Sequence, residues 1–229
     1  MEIVLDKLLD LGFIRSSLPL RDILVVNCVP GAGKTTFIRN LLSEFNIFEA
    51  YTTGKPDPPN ISGNWIKKWT GSVDSSKVVI LDEYQSLKEV PDSVQILFGD
   101  PTQCCNPLIL SPHLTCTKTK RFGSQTCKLL KDLGYNISSQ ETDIVLIEDI
   151  FKAELEGQII CCEEEVVALL KDHSLQFAQI NDIIGSTFDV VTFVTANKFS
   201  LSEQADHFRC LTRHKTKLKI LCPEADYLD

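Results

Sequence analysis

The hydrophobic residues fall into short apolar runs that alternate with amphipathic segments. Such runs, bounded by polar or turn residues, predict buried strands at residues 23–26, 78–81, 94–98, 144–147, 190–194 and 218–221. Helical spacing predicts helices at residues 3–9, 37–42, 126–133 and 163–171, the first of them ending at Gly12. A last helix opens with a capping box formed by Ser200 and Glu203. This alternation predicts an α/β fold with parallel sheets.

Two such series meet near residues 112–118. We therefore expect two small α/β lobes, residues 1–115 and residues 116–229. Prolines and glycines between Lys55 and Gly63 predict a loop within the first lobe. Several strands end in acidic residues or in Gly-Asp, which places functional groups at the edge where open α/β sheets bind ligands.

The composition is that of an ordinary globular protein, with 43% hydrophobic and 24% charged residues. It excludes a disordered, collagen-like or low-complexity chain. The nine cysteines include no C-x-x-C pair, so free thiols in a reducing compartment are expected. A zinc site built from Cys104, Cys105, His113 and Cys116 is a weaker alternative because its spacing is irregular. No apolar run reaches membrane-spanning length and the N-terminus lacks a signal-peptide pattern, which predicts a soluble intracellular protein.

The formal net charge of −8 excludes a general polycationic coat for nucleic acid. It conceals two basic segments, residues 118–131 and 207–219, neither of which contains an acidic residue. The 75 or so residues between them hold fifteen acidic and three basic side chains. The basic segments fit a local nucleic-acid groove, and solvated helix faces remain the alternative.

The strongest chemical signal lies between the first strand and the helix at 37–42. Residues 28–36, Cys-Val-Pro-Gly-Ala-Gly-Lys-Thr-Thr, have the spacing of a phosphate-binding loop, with Cys28 in place of the usual first glycine. The glycines let backbone N–H groups converge on phosphate oxygens, Lys34 adds a positive charge, and Thr35 offers a hydroxyl to Mg²⁺. The residues predicted to bind ATP are Pro30, Gly31, Ala32, Gly33, Lys34, Thr35 and Thr36.

Polar side chains at the ends of two further strands complete the predicted chemistry. Asp82 follows a buried run and is placed to hold Mg²⁺ together with Thr35, while Glu83 is placed to orient or deprotonate a water molecule. Gln103 follows Gly99-Asp100-Pro101-Thr102, where its amide is suited to a γ-phosphate or its attacking water. Taken alone, these residues also fit a solvated strand end and a simple turn.

The motifs and their order resemble the superfamily 1 helicases of positive-strand RNA viruses, especially the triple gene block movement proteins of plant viruses. Gly31–Thr36 resembles motif I, residues 82–84 motif II, and residues 99–103 motif III. Residues 121–123 resemble motif IV, residues 185–188 motif V and residues 211–214 motif VI, while Tyr51-Thr52-Thr53-Gly54 is similar to the weaker motif Ia.

The resemblance implies a P-loop NTPase with two RecA-like lobes and a nucleotide cleft between them. Catalytic roles are then expected for Lys34, Asp82, Glu83, Gln103, Arg121 and Arg213. The two arginines would stabilise charge on the transferred phosphoryl group from the second lobe. The residues expected to contact RNA are Thr52, Thr53, Lys67, Lys68, Ser186 and Thr187. Trp65 and Trp69 fit RNA stacking or, alternatively, a helix that packs both rings into a core.

The implied activity is ATP hydrolysis with Mg²⁺, stimulated by single-stranded RNA, with weak or local unwinding. By resemblance the chain would support cell-to-cell transport of viral RNA through plasmodesmata and suppress RNA silencing. Its expected partners are RNA, small membrane-bound viral movement proteins, coat protein and further copies of itself, without direct membrane insertion. Its expected location is the host cytoplasm, plasmodesmata or cytoplasmic inclusions. A small-molecule kinase and a non-motor oligomeric scaffold with a regulatory nucleotide site are the alternatives.

Overall fold

A computed structural model describes residues 1–71, 73, 76–199 and 204–228. The chain divides into two compact units, Met1–Lys118 and Thr119–Asp229. The helices of the first unit are α1 (Glu2–Asp10) and α2 (Lys34–Glu44). Its strands are β1 (Ile14–Arg15), β2 (Leu24–Cys28), β3 (Phe48–Thr52), β4 (Ile66–Lys68), β5 (Val78–Asp82), β6 (Ile96–Gly99) and β7 (Leu114–Cys116).

The strands of the first unit form one sheet in the order β1-β7-β2-β6-β5-β3-β4. Every pairing is parallel except that of β1 with β7 at the edge. Along β2, Leu24 and Val26 pack into a core with apolar residues of α1 and α2, whereas Val25 packs into a second core with Val79 and Leu97. Burial of both faces explains why the central strands are continuous apolar runs.

The second unit has a parallel sheet of its own. Its helices are α3 (Ser124–Asp132), α4 (Glu164–Asp172) and α5 (Gln204–Leu211). The short strand β8 (Lys118–Thr119) begins at the last residue of the first unit. The other strands are β9 (Ser138–Ser139), β10 (Ile144–Asp149), β11 (Gln158–Cys161), β12 (Ala178–Gln179), β13 (Phe188–Val194) and β14 (His214–Cys222). The parallel sheet has the order β10-β14-β13-β11-β12, and β8 pairs with β9 in a separate ribbon.

The predicted α/β fold with parallel sheets is confirmed. Each predicted apolar run overlaps a strand, although residue 23 precedes β2 and residues 94–95 precede β6. Helix α1 ends just before Gly12, whose φ of 85° suits glycine. Residues 55–63 form a loop without regular structure, as predicted. The capping box of Ser200 and Glu203 lies outside the described residues, and α5 is described from Gln204.

One alternative left open by the sequence is wrong. Trp65 and Trp69 flank the strand β4 and do not lie on a helix; Trp69 packs edge-on against Tyr51 at a centroid distance of 5.8 Å.

The basic segments lie partly on helices and partly on strands. Lys128 and Lys131 are exposed on α3, and Arg209 lies on α5. Lys217 and Lys219 lie instead on β14 and form ion pairs with acidic residues of the preceding stretch.

All nine cysteines are free thiols, as the absence of paired spacing predicts. The zinc site considered for Cys104, Cys105, His113 and Cys116 does not form, since the described residues contain only one metal-ligand cluster and it lies elsewhere. Instead, Nδ1 of His113 accepts a hydrogen bond from the backbone N–H of Val25 at 3.0 Å. Within the described residues, every helix is too short or too polar to cross a membrane.

Candidate functional site

The glycine-rich loop joins β2 to α2. Gly31 and Gly33 have φ values of 80° and 96°, which side chains other than glycine rarely adopt. Gly33 is the N-cap of α2, and among the described residues no side chain caps this helix end. The first N–H groups of α2 are therefore available to an anion, where the helix dipole adds a favourable field. Cys28, the departure from the usual pattern, is buried at the end of β2.

Lys34 starts α2 and points towards the end of β5. Its side-chain nitrogen lies 3.0 Å from Oε1 of Glu83 and 3.7 Å from Oδ1 of Asp82. The residue is only 8% exposed, and burial alone would lower its pKa. Glu83 and Asp82 outweigh that effect and raise the pKa of Lys34 above its ordinary value. Lys34 is therefore a fixed positive charge beside the phosphate loop.

Asp82 and Glu83 differ in environment although they are adjacent. Asp82 is buried, which raises its pKa to about 6 although Lys34 opposes the shift. Glu83 is partly exposed, and its backbone adopts the left-handed conformation with φ of 60°, which is uncommon outside glycine. Its Oε2 accepts a hydrogen bond of 2.5 Å from Nε2 of Gln85. The strained backbone and this contact hold the Glu83 carboxylate beside Lys34.

Gln103 lies in a short 3-10 turn after β6. Its Nε2 donates a hydrogen bond of 2.9 Å to Oδ2 of Asp100, whose Oδ1 accepts from Thr102. Asp100 is buried, and burial raises its pKa although Lys34 opposes the shift. The backbone N–H of Asp100 donates to Oε1 of Gln85. The ends of β5 and β6 are thus joined by one hydrogen-bond network.

The residues expected to hold Mg²⁺ fit a hard divalent cation. Thr35 offers a half-buried hydroxyl at the start of α2, and Asp82 offers a carboxylate at the end of β5. Oxygen ligands of this kind suit Mg²⁺. Buried carboxylates at Asp82 and Asp100, both with raised pKa values, form a region in which added positive charge is favourable.

The residues of the first unit that were expected to contact RNA have internal partners. Oγ1 of Thr52 accepts from the N–H of Gly54, and Oγ1 of Thr53 donates to the carbonyl of Glu83 at 2.7 Å. Lys68 donates to the carbonyls of Thr53 and Gly54. Lys67 forms an ion pair with an acidic residue of β3, at 3.6 Å from its carboxylate. The hydrogen bond from Thr53 thereby holds residues 52–54 against the backbone of Glu83.

Arg121 and Arg213 lie in the second unit, close to the end of α5. Nη1 of Arg121 donates to the carbonyl of Thr212 at 3.2 Å. Nε of Arg213 donates to the carbonyl of Arg209 at 3.1 Å, and its Nη1 lies 3.5 Å from the carbonyl of Ser186. Arg213 is 3% exposed, while Ser186 and its neighbour at 187 are half-buried. The structure therefore brings three of the predicted motifs together within this unit.

Sequence reasoning missed two residues that shape the site in the first unit. The sequence pattern assigns Asp100 only to a turn and gives no role to Gln85. Gln85 contacts both Glu83 and the backbone of Asp100. A buried aspartate after an apolar strand was a usable signal for Asp100, whereas the contacts of Gln85 depend on the pairing of β5 with β6.

Comparisons with known proteins point to a single protein family. The profile of the viral superfamily 1 RNA helicase core domain matches residues 24–222. The chain is 42% identical over 231 residues to the movement and silencing protein TGBp1 of Poplar mosaic virus, covering 99% of each. It is 40% identical over 228 residues to the protein of the same name from Chrysanthemum virus B, again covering 99% of each.

Solved helicase structures share the fold. The structure of the PRRSV helicase superposes with a TM-score of 0.66 at 21% identity and covers 89% of this chain. An arterivirus nonstructural protein 10 (helicase) in complex with DNA gives a TM-score of 0.58 at 21% identity and covers 97% of this chain. This chain spans 53% and 57% of those two chains, about half of their length. From the matched profile and the full-length relatives, we conclude that the chain belongs to the viral superfamily 1 RNA helicase core domain family.

Proposed function

We propose that the chain is an ATPase stimulated by single-stranded RNA that serves the movement of a plant RNA virus. The observation that carries the proposal is Lys34, held beside Asp82 and Glu83 where an uncapped helix follows a glycine-rich loop. A fixed cation, free N–H groups and neighbouring carboxylates are the parts that phosphoryl transfer to water requires. Its membership of a helicase family disfavours the small-molecule kinase alternative.

Each part has a distinct role in the proposed reaction. The N–H groups of the loop and Lys34 bind the phosphates of ATP, while Thr35 and Asp82 hold Mg²⁺. When bound, Mg²⁺ supplies positive charge that neutralises phosphate oxygens. Glu83 accepts a proton from the attacking water, and the Gln103 amide orients that water.

Two arginines of the second unit have a proposed catalytic role. Arg121 and Arg213 are proposed to stabilise the negative charge that spreads over the phosphoryl oxygens in the transition state. In related phosphoryl-transfer enzymes such an arginine contributes roughly 10³–10⁵-fold to the rate. Both guanidinium groups donate to backbone carbonyls in the described structure. These contacts place the two arginines close to each other near Thr212.

The biological role follows from the named relatives. Full-length relatives at 42% and 40% identity are called movement and silencing proteins. We therefore propose that this chain supports the transport of viral RNA between cells through plasmodesmata and suppresses RNA silencing. Its proposed partners are single-stranded RNA, small membrane-bound viral movement proteins, coat protein and further copies of the chain. Its proposed locations are the host cytoplasm, plasmodesmata and cytoplasmic inclusions.

ATP hydrolysis with and without single-stranded RNA tests the proposal. We expect RNA to stimulate hydrolysis by the full chain, and we expect Lys34→Ala and Arg213→Ala to abolish it. Because Arg213 is buried, its removal also affects packing, so the Arg213→Lys variant is measured as well. The lysine retains the positive charge but lacks the planar guanidinium group that contacts two oxygens. Lys88→Ala, at an exposed lysine of the first unit, is the matched control and retains activity.

The result of this assay distinguishes an ATP-hydrolysing enzyme from a non-motor scaffold. ATP binding without turnover under all RNA conditions would refute the ATPase and support an oligomeric scaffold with a regulatory nucleotide site. In that case Cys28, which replaces the usual glycine of the loop, is the first residue to change. Loss of movement and silencing suppression in Lys34→Ala would link both roles to hydrolysis, whereas their retention would assign them to the scaffold.

A further inference from the structure

A second cluster of reactive side chains lies in the second unit, apart from the phosphate loop. Cys162 and Glu163 follow directly after β11, and Glu163 is the N-cap of α4. His207 lies on α5 and packs against the ring of Phe193 from β13. The cluster thus lies where the neighbouring parallel strands β11 and β13 end, the usual edge for ligands in such sheets.

Three different metal-binding groups converge at this point. The thiol sulfur of Cys162, a carboxylate oxygen of Glu163 and a ring nitrogen of His207 all lie within 4.8 Å of one another. His207 is fully buried and Glu163 is buried, while Cys162 is partly exposed. Cys162 is thus the only one of these three residues that is partly exposed to solvent.

The imidazole of His207 directs an unused nitrogen into the cluster. Its Nε2 is buried without a hydrogen-bond partner among the described residues, and it lies 3.4 Å from Oε1 of Glu163. A buried polar atom without a partner is unfavourable, and a metal ion would satisfy it. The opposite nitrogen, Nδ1, lies 3.0 Å from Oη of Tyr227. When Nδ1–H donates to Tyr227, Nε2 presents its lone pair to the centre of the cluster.

Glu163 is also held from outside the cluster. Its Oε1 accepts a hydrogen bond from Oγ1 of Thr195, and its Oε2 accepts from the N–H of Ala196 at 2.7 Å. Hydrogen bonds of this kind orient ligating carboxylates in metal sites, just as the contact with Tyr227 orients the imidazole. Glu163 and His207 are therefore oriented before any ion arrives.

The arrangement does not suit a cysteine nucleophile activated by a histidine. In such a triad the acidic group contacts the ring nitrogen opposite the nucleophile. Here Glu163 lies against Nε2, and the opposite nitrogen contacts a tyrosine hydroxyl. The three groups share one centre and do not form a relay.

We propose that Cys162, Glu163 and His207 bind a zinc ion in the second unit, with a water molecule as the fourth ligand. A set of one sulfur, one nitrogen and one oxygen suits tetrahedral Zn²⁺, whereas Mg²⁺ and Ca²⁺ require oxygen ligands. The site is independent of the proposed ATPase.

Binding of Zn²⁺ and Co²⁺ to the full chain tests the proposal. After treatment with a chelator and a reductant, and with Mg²⁺ in excess, we expect one Zn²⁺ to bind per chain. Co²⁺ is expected to produce a thiolate-to-metal absorption band. Cys162→Ser and His207→Gln should abolish binding or weaken it by at least about 100-fold, and Tyr227→Phe should weaken it by about 10-fold. Cys104→Ser, in the first unit, is the matched control and should bind as the unaltered chain does.

A folding control keeps the test decisive. His207 is part of the core, so circular dichroism and thermal unfolding without metal are compared for all variants. If His207→Gln fails to fold, Cys162→Ser decides the question because its side chain is partly exposed. Unchanged Zn²⁺ affinity in Cys162→Ser, or the absence of saturable binding, would overturn the proposal.

Discussion

In the proposed mechanism, Glu83 weakens ATP binding but is required for ATP hydrolysis. Its carboxylate lies 3.0 Å from the Lys34 ammonium, which must turn to the phosphates when nucleotide binds. In Glu83→Gln the amide has nearly the same shape but neither the negative charge nor the basicity. We therefore expect ATP affinity to rise while hydrolysis falls.

The size of both effects follows from the environment of the pair. Lys34 is almost fully buried, whereas the Glu83 side chain is 29% exposed. A pair of this kind lies between an exposed ion pair, at no more than about 1 kcal/mol, and a fully buried one. Releasing Lys34 from it should improve ATP affinity by roughly 3–10-fold, since about 1.4 kcal/mol corresponds to tenfold. Loss of a general base should lower kcat by about 10²–10⁴-fold.

Two assays measure these effects separately. Titration calorimetry gives the dissociation constant of ATP, and phosphate release at saturating ATP gives kcat in the presence of RNA. Glu89→Gln, at an exposed glutamate of the same segment, is the control and should change neither quantity. Turnover within tenfold of the unaltered protein would remove Glu83 from the role of base. A fall in ATP affinity would contradict the competition for Lys34.

Three further predictions concern stability and RNA binding. Gly99→Ala should lower the free energy of unfolding, measured in urea, by about 1–3 kcal/mol, because the added Cβ would lie 2.7 Å from the Tyr84 ring. An unchanged midpoint of urea unfolding would contradict this close approach. Burial raises the pKa of Asp143, but hydrogen bonds from His214 and a threonine lower it to about 2. Its stabilisation is therefore complete above its ordinary pKa of 3.8 and is lost as the pH falls through about 2, and Asp143→Asn should remove that part of the acid dependence in chemical unfolding. The affinity for RNA should fall steeply as the salt concentration rises, as measured by fluorescence titration. Lys68→Ala should reduce the slope of the logarithm of the RNA-binding constant against the logarithm of salt concentration by about 1. Binding that does not depend on salt would refute a phosphate-binding groove.

The parts that were predictable from the sequence are those with local signals. The apolar run of β2, the two glycines of the loop and the amphipathic pattern of α2 follow one another within about 20 residues. By contrast, no apolar run predicts β3, because the half-buried Glu49 and Tyr51 alternate with its buried positions. In β11 the apolar run is only three residues long, followed by a second cysteine and three glutamates, so the pattern resembled the start of the next helix.

The remaining contacts depend on residues far apart in the chain. Lys217 meets Glu156 and Lys219 meets Glu148 because β14 lies beside β10 and β13. In the sequence such lysines form a basic segment, because their acidic partners are 61 and 71 residues away along the chain. Pairing of this kind is set by sheet order, which local patterns do not encode.

The central position of β2 affects the order in which the chain folds during synthesis. β2 is complete at Cys28, but its neighbours β6 and β7 end only at Gly99 and Cys116. The strand that carries the phosphate loop therefore stays without either partner until most of the first unit has left the ribosome. The parallel sheet of the second unit begins later, at Ile144. The framework that holds Lys34 is thus able to form before the second sheet has been made.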